Sequence, residues 1–186
     1  MLTFDEKIIE LSKKKILLLI TVSIVFVVAG LWILQVSAAS VVSPHAFDKS
    51  LLGRTIGWAS IIFFGFTGVV GLKKFYDDNP GVILNSAGIT DNSSGFSAGF
   101  VPWGDILGFG TLEIYNQKML VVLLNEPDKY IEVGSSLRRS FVRANSKLSG
   151  SPVVIVSNSI KMNFDELLKT CNDYFTKYGD SAHGKD

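Results

Sequence analysis

Two stretches of the chain run without a charged residue: Ile16 to Ala39, 24 residues, and Thr55 to Leu72, 18 residues. As a helix at about 1.5 Å per residue the first extends roughly 36 Å, enough to cross a hydrocarbon core of about 30 Å, and the second is near the lower limit. The 15 residues between them, Ser40 to Arg54, contain Pro44, His45, Asp48 and Lys49, which suit an aqueous turn. The pattern predicts a transmembrane hairpin spanning 16–39 and 55–72, preceded by a segment 1–15 and followed by a linker 73–80. A cleaved signal peptide ending near Val36-Ser37-Ala38 is the rival reading. It fits poorly, because the apolar run exceeds the 7 to 15 residues of such peptides and Asp5, Glu6 and Glu10 spoil a basic leader.

The character of the chain changes at the turn cluster Asp77-Asp78-Asn79-Pro80-Gly81. Short apolar runs then alternate with turn residues: Gly81 to Asn85, Gly88 to Asp91, Phe96 to Trp103, Leu107 to Tyr115, Met119 to Leu124 and Tyr130 to Val133, with Pro152 to Ser157 after a gap. This spacing predicts an antiparallel meander. The gap, Ser136 to Gly150, reads as a helix with Leu137, Phe141, Ala144 and Leu148 on one stripe, Arg138, Arg139, Arg143 and Lys147 opposite, and Gly150 as its stop. A last helix opens with Asn163 and Glu166 in a capping arrangement and carries Phe164, Leu167, Leu168, Cys171, Tyr174, Phe175 and Tyr178 on one face. The result is a domain over 81–179 with a tail at 180–186.

Charge divides along the same boundary. Residues 1–74 carry eight Lys or Arg against four acids, and residues 75–186 ten against thirteen. An acidic domain on a basic anchor argues against nucleic acid as a partner. Lys7, Lys13, Lys14 and Lys15 before the first span and Lys73 and Lys74 after the second outnumber Lys49 and Arg54 in the loop. The positive-inside rule therefore places both termini in the cytosol.

The run Phe100 to Ile106, FVPWGDI, interrupts an apolar strand. Pro102 cannot donate to a ladder and keeps Val101 extended, so it belongs at an edge or bend. Trp103 then caps the open end of the sheet or stacks on a ligand, and Asp105 accepts bonds from exposed backbone N–H groups. This run resembles the I-P-W-x-D/E-I signature of bacterial pleckstrin-homology-like domains. Along nearly its full length the chain is similar to an uncharacterised family of bacterial two-pass membrane proteins, which share a lysine run before the first span, Lys-Lys after the second, a turn like Asp91 to Gly95 and an end like Asn163 to Leu167. The resemblance implies an inner-membrane location and a pleckstrin-homology-like α+β domain. Its fold would be a curved antiparallel sheet or partly open barrel closed by the C-terminal helix, with an extra amphipathic helix before the last strand. It implies no activity.

Catalytic and cofactor chemistry find little to work with. His45 and His183 are the only histidines and Cys171 the only cysteine, so no Ser-His or Cys-His pair and no cysteine metal site is expected, and no cofactor. Gly108-Phe109-Gly110-Thr111 lacks the lysine of a phosphate loop. Phe75 to Gln117 contains no Lys or Arg, which disfavours inositol-phosphate binding around the first hairpins. Gly65, Gly68 and Gly71 admit close packing on the first helix or on another copy, leaving a homo-oligomer open. The sequence thus points to a non-enzymatic, membrane-anchored binding or scaffold module with a protein partner. The alternative is an immunity or envelope-stress protein acting through its hairpin. Lys73, Lys74, Arg138, Arg139, Arg143 and Lys147 are its lipid-headgroup candidates, a solvated helix surface being the plainer reading of the last four. A topological test follows: a cysteine at Ser43 should react with an impermeant thiol reagent in intact cells, and one at Ser94 should not. The reverse pattern would overturn the orientation.

Overall fold

The computed structural model describes residues 5–39 and 46–179, and it divides into two compact units, Lys13–Asp77 and the described residues of Met1–Ser12 with Asp78–Asp186. The first part of the expected outer turn, the C-terminal tail, His45 and His183 lie outside the described residues.

The first unit is a pair of helices, α1 (Lys13–Ala39) and α2 (Ala46–Phe75), each long and apolar enough to cross a membrane. Helix α2 takes in Asp48, Lys49 and Arg54 from the expected turn as well as Lys73 and Lys74. Large apolar side chains such as Leu18, Trp32, Ile62 and Phe63 point outward, while glycines take part in the contact between the helices. A Cβ on Gly57 would lie 3.0 Å from the Gly30 carbonyl oxygen and 2.7 Å from Leu34, so any side chain here would displace Leu34 and crowd the crossing. Ser60 Oγ donates to the Phe26 carbonyl at 3.0 Å, and Phe26 stacks on Phe64. Among the glycines marked in the sequence, Gly71 faces Ile20, Gly68 faces Ser23, and Gly65 has open space. Lys13 Nζ donates to the carbonyls of Phe75 and Asp77, a cation at a helix C-terminus.

The described residues of the second unit form seven strands in two sheets. One has the order β1 (Lys7–Ile9), β2 (Val82–Leu84), β3 (Gly88–Asp91), β4 (Gly99–Pro102); the other has β5 (Ile106–Ile114), β6 (Gln117–Leu124), β7 (Val154–Ile155), all antiparallel. Among the described residues no closed barrel forms. Pro102 ends β4 without a donor, and a 3-10 turn over Trp103–Asp105 redirects the chain, so β5 starts a second sheet. The β5–β6 turn is Tyr115-Asn116, both at positive φ (48° and 62°), the geometry of a two-residue hairpin. It begins on the last residue of the expected run Leu107 to Tyr115.

Strand β1 was not legible as a strand. Ile9 and Leu11 are buried while Ile8 is exposed, a two-residue alternation too short to stand out beside the long apolar run that follows. Ile9 pairs with Val82, Leu11 bridges Ile160, and Ser12 N–H donates to the Ser159 carbonyl at 2.7 Å. Asp5 accepts from Lys177 (2.6 Å), Tyr174 and Tyr178. In sequence, the helix pair is therefore an insertion between two neighbouring strands of one sheet.

Three helices complete the unit. The strand expected at Tyr130–Val133 is instead a single helical turn, α3 (Asp128–Ile131), started by Pro127, whose fixed φ suits a helix opening. Helix α4 (Ser136–Ser149) is capped by Ser135 and ends on Gly150 at φ 78°. Helix α5 (Phe164–Tyr178) is capped by Asn163, which accepts from Glu166 N–H at 2.8 Å. Leu167 and Cys171 are fully buried, and Phe175 packs against Trp103 and Phe109. If β1 is integral to this unit, Ile9→Ala should destabilise it by roughly 2 to 5 kcal/mol, the usual range for a buried isoleucine, while Ile8→Ala is near neutral. Thermal melting of the full chain in micelles, followed by near-ultraviolet circular dichroism, reads the difference; equal melting points would remove β1 from the cooperative unit.

Candidate functional site: an apolar cleft beside helix α4

Polar groups in the Trp103 region are used up inside the fold. Trp103 is 1% exposed; its indole N–H donates to the Asn85 carbonyl at 2.9 Å and its backbone N–H to that of Ala87 at 3.2 Å. It therefore pins the chain after β4 onto the β2–β3 turn. Asp105 accepts from side chains, Lys129 Nζ at 2.6 Å and Tyr130 OH at 2.5 Å, rather than from backbone N–H groups. Burial pushes its carboxyl up, but the bonds from Lys129 and Tyr130 outweigh this and leave it below the usual range. Tyr130 is driven up, first by burial and then by its bond to Asp105.

A cleft of about 330 Å³ lies between α4, the 92–98 loop, β6 and β7. Phe96 from the loop stacks on Phe141 of α4 with ring centroids 4.5 Å apart, and Met119, Leu148, Val154 and Val156 supply further apolar wall. Two devices set its shape. Asp91, buried at the end of β3, accepts from the backbone N–H of Ser93 (2.9 Å) and Ala98 (3.3 Å), holding the loop in a tight turn. Ser93 Oγ accepts from Val156 N–H at 3.0 Å, and its carbonyl accepts from Ser159, tying the loop to the second sheet. Asn92-Ser93-Ser94 thus serves the interior of the fold.

Helix α4 meets the sheet unit on a face other than its apolar stripe. Val142 is its one buried residue, whereas Leu137, Phe141, Ala144 and Leu148 are exposed. Arg138 holds the helix in place, its guanidinium donating to the carbonyls of Tyr130 (3.2 Å), Val133 (2.5 Å) and Ser97 (3.2 Å). Arg139 and Arg143 both pair with Glu132, at 3.5 and 2.6 Å. Lys147 is exposed. The four cations therefore do not form one uniform basic face. In the other unit Lys73 is exposed and Lys74 pairs with Asp77 at 2.9 Å, both in the last turn of α2.

Among the described residues no group of three His, Cys, Asp or Glu side chains is placed to hold a metal ion. Cys171 is buried on α5, and desolvation pushes its thiol up to about 12, far from a reactive thiolate. In the sequence Asp91 reads only as the start of the turn Asp91 to Gly95; that an Asp side chain bonds the backbone N–H two residues on is the role such a turn signals. Comparison with protein-family models, with curated proteins and with solved structures gives no match.

Burial raises the Asp91 carboxyl above its usual 3.8, its bonds to Ser93 and Ala98 opposing the shift without cancelling it. A carboxyl raised in the folded state contributes most while protonated, and its contribution is lost as pH rises through the folded-state value. The melting temperature of the wild type should therefore fall, relative to Asp91→Asn, as pH rises from about 4 towards neutrality. A pH-independent gap between the two proteins would mean that this carboxyl stays ionised in the fold.

Proposed function

We propose that this chain is a non-catalytic binding module anchored in the bacterial inner membrane, with both termini in the cytosol. The sheet unit presents a pleckstrin-homology-like domain whose recognition site is the cleft beside α4. The observation that carries this reading is the cleft itself: an apolar hollow bordered by exposed Phe141 and Leu148, in a unit whose buried polar side chains have their bonds made internally. Such a hollow accepts an apolar group from a ligand. The division into four and three antiparallel strands, with a C-terminal helix packed on β5 and β6, supports the pleckstrin-homology-like fold indicated by Val101 to Ile106. Outward-facing apolar side chains along α1 and α2 support the membrane span, because lipid tails can cover what water would not. The buried thiol of Cys171 and the internally bonded Asp91 and Asp105 support a non-catalytic role.

The three methionines allow a direct test. With methionine methyl groups labelled in the full chain in lipid nanodiscs, adding indole as an apolar probe should produce a saturable shift at Met119, which lines the cleft. No shift is expected at Met162, which lies elsewhere. Ala144→Trp, filling the cleft, should abolish the Met119 response. An unresponsive Met119, or one equally responsive in the filled variant, would remove the cleft as a binding site.

A further inference from the structure

Helix α4 carries a mismatch between its own pattern and its packing. Leu137, Phe141 and Leu148 are 53%, 44% and 74% exposed, and Val133 one turn earlier is also exposed, while Val142 is 3% exposed. At about 100° per residue Val142 lies roughly 120° around the helix from the middle of the stripe, so packing on the sheet leaves the stripe facing outward. Lys147 flanks that stripe on the side away from Val142, Arg143 lies farther round and pairs with Glu132, and α4 contains no acid. A helix with an apolar strip flanked by a lysine matches the form of one lying in a membrane interface.

Resting on the membrane span proposed above, we propose that α4 docks into the interfacial layer of an anionic bilayer, with Leu137, Phe141 and Leu148 among the acyl-chain ends and Lys147 reaching headgroup phosphates. Three observations favour lipid over another occupant. The chain between α2 and β2 is only Tyr76 to Gly81, at most about 20 Å when extended, so a bilayer crossed by the helix pair is always within reach. Lys13, Lys14 and Lys15 at the start of α1 and Lys73 and Lys74 at the end of α2 gather at one end of that pair, where anionic headgroups would collect. Outside α4, residues 75–186 carry six cations against thirteen acids, so α4 is the element such a surface would attract.

The test uses the full chain, since β1 precedes the helix pair. Cys171 is buried and should resist labelling, so Leu148→Cys and, as a reference, Tyr115→Cys can carry an environment-sensitive fluorophore. In nanodiscs of phosphatidylcholine with phosphatidylglycerol, the label at 148 should shift to the blue and be quenched by lipids brominated near the headgroup. The label at 115, on the exposed β5–β6 turn, should not. The response at 148 should weaken in phosphatidylcholine alone and in Lys147→Gln. A water-like spectrum at 148 in both lipids would overturn the docking. So would a blue shift without lipid quenching that grows with copies per disc, which would identify a second chain as the occupant. Carbonate extraction of membranes separates the premises: loss of the chain from the bilayer defeats the span, while retention with an aqueous label at 148 defeats only the docking.

Discussion

The antiparallel pairing of Ile9 with Val82 is the constraint on which the architecture rests. It closes a loop that contains both long helices, joining residues that precede them to residues that follow them. Closure entropy grows only slowly with loop length, so a large insertion is tolerable provided that the closing contacts are strong. They are numerous. Val82 and Leu84 are fully buried, Leu11 bridges Ile160, and Asp5 is held by three side chains of α5. The segment before the first helix is thus an edge strand of the domain.

The second organising feature is the break after β4. Pro102 stops one ladder, the indole of Trp103 reaches back to the Asn85 carbonyl, and Asp105 gathers Lys129 and Tyr130 from α3. Each contact joins the corner to a different part of the chain. An aromatic held on its N–H edge and packed against Phe175 has little freedom left for a ligand, and the proposed recognition surface lies elsewhere.

That surface arises from a competition on α4. Arg138 donates to three carbonyls from two segments of the chain, and these charge-assisted bonds, with Val142, fix how the helix is rotated. The rotation leaves the apolar stripe outward and opens the cleft between Phe141 and the Phe96 loop. A helix whose apolar face is not its packing face retains surface for a second contact.

The sequence by itself determined the features whose signal is local and long: two uncharged runs that became α1 and α2, the hairpin-spaced strands, the capped stripe of α5, and the corner at Pro102. Each is set by a repeating period or by a backbone restriction within a few residues. Tertiary structure alone decided that Lys7–Ile9 is a strand, since three residues have no sheet preference without Val82 beside them. It decided that Tyr130 belongs to a helical turn, because its hydroxyl is drawn to Asp105 from far along the chain. It also decided which side of α4 is buried: the apolar stripe was legible, but one guanidinium bonding the nearby Tyr130 and Val133 carbonyls and the distant Ser97 carbonyl outweighed it, and no period in the sequence encodes that.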